Sequence, residues 1–191
     1  MKVIAINGSS RKDGNTAILL KTALDEFEKE GIEGELIQLA KNPLIGCTAC
    51  NQCREKKDRK CAIDNDSFND CFSKMVAADG ILLGSPVYFS NVTATMKGLI
   101  ERCGRVAKAN GNLLKRKVGA AVVAVRRAGA IHTFDTINHL FQHAQMIIPG
   151  STYWNMGLGG APGQVESDAE GLQTMQNLGK NMVWLLKKIH S

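Results

Sequence analysis

Residues 3–16 read Val3-Ile4-Ala5-Ile6-Asn7-Gly8-Ser9-Ser10-Arg11-Lys12-Asp13-Gly14-Asn15-Thr16. The four leading apolar residues run without interruption and stop at Asn7-Gly8, the pattern of a short strand buried on both faces. A polar loop follows, and then Leu20, Ala23, Leu24 and Phe27 recur at i, i+3, i+4 and i+7 until Gly31 stops the helix. A doubly buried strand feeding directly into a helix is the opening unit of a parallel α/β sheet.

Working outward, the same alternation repeats. Glu35-Leu36-Ile37-Gln38-Leu39 reads as a second strand, Ile81-Leu82-Leu83-Gly84 as a third and Val118–Val125 as a fourth, central one. A short fifth strand is expected between Met146 and Trp154, disturbed by Pro149. Asp66 is placed to cap a helix with Phe68, Phe72, Met75 and Val76 on one face, and Asn91 to cap one carrying Met96, Leu99, Ile100 and Cys103. Phe134, Ile137 and Phe141 mark a further helix, and a last one runs from about Asp168 to Ile189. Five strands alternating with five helices predict a doubly wound parallel sheet in a single domain, residues 1–191. Residues 40–65 show no period. Connections usually run about two to six residues, so this insertion calls for an organiser of its own.

The chain has 191 residues, 44% hydrophobic and 22% charged, with a net charge of +6. That composition is globular. Its most apolar stretch, Val118–Val125, is too short to span a bilayer, and Met1-Lys2-Val3 enters a strand with no signal-peptide order. The expected setting is a reducing cytoplasm, without a membrane partner, where the Asn91-Val92-Thr93 sequon is a chance match. Arg54, Lys56, Lys57, Arg59 and Lys60 concentrate the positive charge in one loop, either a solvated face or a patch that offsets an anionic cluster or attracts an acidic partner. No aromatic residues interleave with them, which argues against nucleic acid.

That loop lies inside a cysteine run. Cys47, Cys50, Cys53 and Cys61 follow a C-x2-C-x2-C-x7-C spacing in a chain with six cysteines. Three thiols at one stride copy the start of the bacterial ferredoxin run, which wraps a [4Fe–4S] cube. Cys61 departs from that run, being followed by Ala62 rather than proline. Zinc usually takes two C-x2-C pairs, so the spacing suits a cluster better, with zinc and redox-active or plain thiols as alternatives. Cys71 and Cys103 fall on apolar helix faces and read as small buried hydrophobes.

Two loops lie at the carboxyl edge of the sheet, where ligands of such folds bind. Gly8–Thr16 offers backbone N–H groups, the hydroxyls of Ser9, Ser10 and Thr16, the Asn15 amide, the Arg11 guanidinium and the flexibility of Gly14, the parts needed to surround a phosphate at a helix start. It is neither a Walker loop nor a dinucleotide fingerprint. Gly84-Ser85-Pro86-Val87-Tyr88-Phe89-Ser90-Asn91 follows the third strand; Pro86 stiffens it, Tyr88 and Phe89 offer flat faces, and the next helix start supplies partial positive charge, as a flavin ring requires. His139 and His143 stand four apart on a helix but lack the metalloprotease glutamate. Gly157-Leu158-Gly159-Gly160 is a glycine-rich turn with no following phosphate-binding pattern, and Ser9 has no nucleophile-elbow context.

Gly8-Ser9-Ser10-Arg11 with Gly14-Asn15-Thr16, and Gly84-Ser85-Pro86-Val87-Tyr88 with Met96-Lys97, resemble the NADPH-dependent FMN reductase group of the flavodoxin-like superfamily. With the four cysteines the chain is similar to the iron–sulfur flavoproteins of that group. The resemblance implies strand order 2-1-3-4-5, FMN, an NAD(P)H donor and homodimers or homotetramers. It implies that Ser9, Arg11, Asn15 and Thr16 hold the phosphate, that Pro86, Val87, Tyr88, Phe89, Ser90 and Asn91 line the ring, and that a third segment falls on Val125, Arg126, Arg127, Ala128 and Gly129, which departs from the family's glycine-rich form. The expected function is an FMN-dependent oxidoreductase that exchanges electrons between FMN and a [4Fe–4S] cluster, with a small-molecule or protein redox partner. No side chain need act as a nucleophile. The alternatives are an NAD(P)H-dependent FMN or quinone reductase with metal-free cysteines, a pure electron carrier and a zinc-stabilised binding module.

Overall fold

The computed structural model describes residues 1–40 and 43–191; positions 41 and 42 of the expected 40–65 insertion lie outside the described residues. Five strands, β1 (Lys2–Asn7), β2 (Glu33–Gln38), β3 (Gly80–Pro86), β4 (Val118–Val125) and β5 (Met156–Leu158), pair in parallel in the order β2-β1-β3-β4-β5. Among the described residues the α-helices are α1 (Asn15–Glu28), α2 (Gln52–Lys56), α3 (Phe68–Ala77), α4 (Ala94–Ala109), α5 (Ala130–His143) and α6 (Ala169–Ile189), with a short 3-10 turn at Gln164–Ser167.

Strand periodicity decides which helices lie on which face. Ile4, Ile6, Ile81, Leu83 and Ala121 point to one side and pack with Phe72 of α3, Leu99 of α4 and Phe141 of α5. Val3, Ala5, Leu82, Ala120 and Val122 point to the other, against Leu20 and Phe27 of α1 and Met175 and Met182 of α6. All eight residues of β4 are buried, as a central strand of a doubly covered parallel sheet must be.

Three expectations are corrected. The fifth strand forms at Met156–Leu158 and not between Met146 and Trp154. Ile147 makes a single bridge to Val118; Pro149, which has no N–H for a ladder, then takes the chain off the sheet. The segment docks on α6 instead, where Ser151 Oγ donates to Thr174 O at 2.6 Å and Asn181 Nδ2 to Gly150 O at 2.9 Å. Asn91 does not cap α4. It closes a tight turn with Tyr88, and Thr93 is the cap, its hydroxyl accepting from Met96 N at 3.2 Å. The cysteine insertion contains α2, whose five residues are too few to leave a period in the sequence. Asp66 does accept the N–H of Phe68, at 3.0 Å.

Phe72 is 1% exposed and stacks on Phe68 with centroids 5.5 Å apart. Phe72→Ala should cost about 3–5 kcal/mol, the range for deleting a buried aromatic side chain. Urea unfolding followed by circular dichroism checks this.

Candidate functional site

The Gly8–Thr16 loop is held from beneath. Gly8 N donates to Gly84 O at 2.8 Å, and a Cβ on Gly8 would stand 2.9 Å from Met96 Cε and 3.1 Å from Gly84 O, so only glycine fits between β3 and α4. Thr93 Oγ1 donates to Gly8 O at 2.8 Å while it caps α4. Ser9 N donates to Asn7 Oδ1, and Gln38 Nε2 to Ser9 O at 2.7 Å, which links the loop to the end of β2. Ser9 Oγ accepts from Arg11 N at 3.1 Å. The start of α1 has no side-chain cap and no acidic residue in its first turn, so its unpaired N–H groups are available to an anion.

One cavity brings together Ser9, Arg11, Asn15, Thr16, Pro86, Val87, Tyr88, Ala124, Arg126, Gly159 and Gly160. The loops after β1, β3 and β4 therefore converge, as the fold class leads one to expect. Asn15 plays a different part from a free amide. Its Nδ2 donates to Gly159 O and Ala161 O, both at 2.9 Å, and its Oδ1 accepts from Val165 N. The side chain is spent on shaping the Gly159–Val165 segment, and Asn15 contributes the helix start to the cavity. Gly159 and Gly160 went unassigned in the sequence. Their signal was position, directly after the last strand at the carboxyl edge, rather than any motif. A Cβ on Gly159 would meet Val165 N at 2.7 Å and Asn15 Nδ2 at 2.8 Å.

Several expected residues stand off that cavity. Phe89 and Ser90 sit in left-handed backbone at the tip of the Tyr88–Asn91 turn, and Phe89 is fully exposed. Asn91 Oδ1 accepts from Thr136 Oγ1 at 3.1 Å. Ser10, Arg127 and Ala128 are exposed, Val125 is buried beneath the site, and Gly14 caps α1. Gly129, at φ +85, abuts Ser90, whose Oγ lies 2.7 Å from where a Cβ would be.

The four clustered cysteines line a second cavity together, with Ile63, Arg102, Arg105 and Val106. Cys47, Cys53 and Cys61 are half-buried and Cys50 is exposed. Among the described residues no three Cys, His, Asp or Glu side chains converge tightly enough to hold a single metal ion. The insertion leaves β2 at the carboxyl edge but then runs down α4. A Cβ on Gly98 would sit 2.8 Å from Leu44 O, and Cys47 N donates to Glu101 Oε2 at 3.2 Å. Cys61 N donates to Asn69 Oδ1, and Arg105 Nη2 to Asn51 Oδ1 at 2.7 Å. Ala49, Asn51, Lys57 and Arg59 all adopt left-handed backbone, a cost that only an over-determined loop sustains. Arg102 is fully buried over the Phe68 ring, with Nη1 on Asp66 and Nη2 on Ile63 O at 2.7 Å, while its Nε has no partner. Burial opposes its charge, but Asp66 and Cys61 more than offset that and hold the guanidinium above its ordinary value. An orphaned buried donor beside four thiols fits an anionic group better than an empty thiol pocket.

A family model described as NADPH-dependent FMN reductase matches residues 1–161. The chain belongs to the NADPH-dependent FMN reductase family. An iron–sulfur flavoprotein of Methanocaldococcus jannaschii is 42% identical over 196 aligned positions, covering 99% of each chain. An iron–sulfur flavoprotein of Methanosarcina thermophila is 32% identical, covering 99% of this chain and 97% of that one. Within the FMN reductase family the chain thus falls with the iron–sulfur flavoproteins. A flavodoxin-like WrbA-like protein from Agrobacterium tumefaciens superposes with a TM-score of 0.69 at 14% identity, covering 98% of this chain and 97% of that one; the fold is flavodoxin-like. As a member of this family the protein is a flavin-dependent oxidoreductase that uses FMN. The residues fit FMN: a helix start with no side-chain cap and no acidic first-turn residue, with Ser9, Thr16 and Arg11 beside it on the cavity for the phosphate. No helix among the described residues is long and apolar enough to cross a membrane.

Arg11→Ala should weaken FMN binding by about 1.5–3 kcal/mol, the range for hydrogen bonds to charged groups, in a fluorescence titration of the apoprotein. Burial pushes the Cys71 thiol up to about 12 and that of Cys103 well above its ordinary value. In the iron-free folded protein a thiol reagent should label the clustered cysteines and reach Cys71 and Cys103 only after denaturation. Both buried thiols are protonated in folded and unfolded chains below pH 9, and only the unfolded chain ionises Cys71 between pH 9 and about 12. Stability should therefore fall as pH rises through that window, and a Cys71→Ala variant should lose part of the slope.

Proposed function

We propose that the protein exchanges electrons between FMN and a [4Fe–4S] cluster ligated by Cys47, Cys50, Cys53 and Cys61. The observation that carries this reading is the gathering of all four thiols on one cavity beside a buried guanidinium with an unused donor. The iron–sulfur names of the relatives support it as well. When bound, FMN supplies hydride and single-electron chemistry and the cluster single-electron chemistry.

The chain's own residues bind, orient and exclude water. Ser9, Arg11, Thr16 and the start of α1 would hold the FMN phosphate. Pro86, Val87, Tyr88, Arg126, Gly159 and Gly160 would border the remainder of the cofactor, and the N-terminal end of α4 would favour negative charge on the reduced ring. The cysteine cavity lies farther along α4: Arg102 is nine residues past Thr93, about 14 Å at 1.5 Å per residue. Electron exchange then runs within one chain or across the interface of a homodimer or homotetramer, for which the exposed Tyr88, Phe89 and Ile131 offer apolar surface. Electrons would come from NAD(P)H or from a protein. A wide groove between α4 and α5, lined by Arg54, Lys97, Arg105 and Lys108 and adjoining the cysteine cavity through Arg105, suits an acidic partner. The thiols suit a reducing cytoplasm.

Anaerobic purification with iron, sulfide and flavin analysis tests the reading. Wild type should carry FMN and four irons per chain, and Cys50→Ser should lose iron and sulfide while keeping FMN. Protein with stoichiometric FMN and no iron after reconstitution would sink the cluster and leave a metal-free reductase.

A further inference from the structure

Arg102 is the one arginine of α4 that is wholly enclosed. It projects from the third turn of the helix into the space between Phe68, the Ile63–Asp66 segment and the cysteine loop. A guanidinium carries five N–H donors in a fixed fork, and burying one is costly unless those donors and its charge are matched. Here the match is incomplete. Asp66 takes Nη1 and the Ile63 carbonyl takes Nη2, but Nε has no partner although it is fully removed from solvent. Arg105, one turn on, differs: it is partly exposed and its Nη2 is used by Asn51. Asp66 is itself engaged twice, by Arg102 on Oδ2 and by Phe68 N on Oδ1, so the fork is held rigidly at the N-terminal end of α3.

The cavity that Arg102 lines contains all four clustered thiols. Four thiolates around an iron–sulfur core leave it anionic, and hydrogen bonds to sulfur together with nearby charge are among the levers that set its potential. We propose that Arg102 is a tuning and positioning residue for the iron–sulfur group: its unpaired Nε–H is reserved for a sulfur of the group held by the four cysteines, and raises the potential of that group relative to FMN. This rests on the [4Fe–4S] reading above. The buried pair does a second service, since Nη2 on Ile63 O and Asp66 at the start of α3 fix the chain that follows Cys61.

The test compares three holoproteins prepared anaerobically: wild type, Arg102→Lys, and the double variant Asp66→Asn with Arg102→Met. The double variant removes both buried charges together and leaves no lone ion, while Asn at position 66 can still accept from Phe68 N. Arg102→Lys keeps the charge and the Asp66 pair but replaces the planar fork by one ammonium nitrogen, with no N–H at the place of Nε. Redox titration with optical and paramagnetic-resonance detection reads the cluster and FMN separately. The expected result is a more negative cluster potential in the double variant, a smaller shift in the same direction in Arg102→Lys, and an unmoved FMN potential in both. An iron-loaded double variant with the wild-type cluster potential overturns the inference and leaves the cluster reading intact. Should either variant lose iron while retaining FMN, urea midpoints of the iron-free proteins decide: equal midpoints for wild type and variant support a role toward the iron–sulfur group, and a lowered midpoint overturns it in favour of a packing role. Wild type that takes up no iron or sulfide on reconstitution removes the cluster reading and this inference with it.

Discussion

Five parallel strands covered by helices on both faces leave the sheet itself open to a ligand only at the carboxyl ends of the strands. The constraint is packing. Ile4 and Ile6 fill one side of the sheet and Val3 and Ala5 the other, so no side chain within β1 is free for a ligand, and the polar residues collect in the loops beyond Asn7, Pro86 and Val125. Those loops then have to be held together. The Gly8–Gly84 hydrogen bond and the Thr93 hydroxyl do this with two short contacts, 2.8 Å each, at a point where Met96 leaves no room for a Cβ on Gly8. The cavity proposed for FMN is thus an outcome of core packing carried one residue past the strand ends.

Helix α4 joins the two candidate sites. Its first turn underpins the flavin loops through Thr93 and Met96, and its later turns form a wall of the cysteine cavity through Arg102, Arg105 and Val106. Gly98 lets the carbonyls of Leu44 and Ile45 approach the helix closely, and Glu101 takes the N–H of Cys47. These contacts explain how a segment with almost no regular structure can sustain four non-glycine residues in left-handed backbone. Its conformation is imposed by α4 and by Asn69 and Asn110 rather than by its own propensity.

Much of the fold could be read along the chain because β1, β3 and β4 are built on continuous apolar runs and the longer helices carry a 3.6-residue pattern. Val118–Val125 matches the observed β4 residue for residue. The misplacements occurred where a local signal competed with a contact from elsewhere. Asn91 is an excellent cap by type but is taken by the turn with Tyr88, and Thr93 caps because its hydroxyl also meets Gly8 O. Residues 146–154 look strand-like, yet Pro149 cannot continue a ladder, and α6 offers the Thr174 carbonyl and the Asn181 amide as hydrogen-bond partners instead. Asn15 was legible as a site residue by position, but its amide is spent on carbonyls some 145 residues further along the chain.

By itself the sequence determined four strands and the doubly wound class, the presence of two polar loops at one edge, and the four-cysteine run, since all of these are written in local periodicity and spacing. Tertiary structure alone decided which loop residues face the cavity at the carboxyl edge and which, like Phe89, turn outward. It also brought Gly159 and Gly160 to the cavity and laid the cysteine loop against α4. The buried Arg102–Asp66 pair could not be anticipated either: in sequence it is an ordinary charged residue on an amphipathic helix and an acidic cap. Only three-dimensional packing, which removes the guanidinium from water with its Nε–H unpartnered, turns it into a feature that needs a partner.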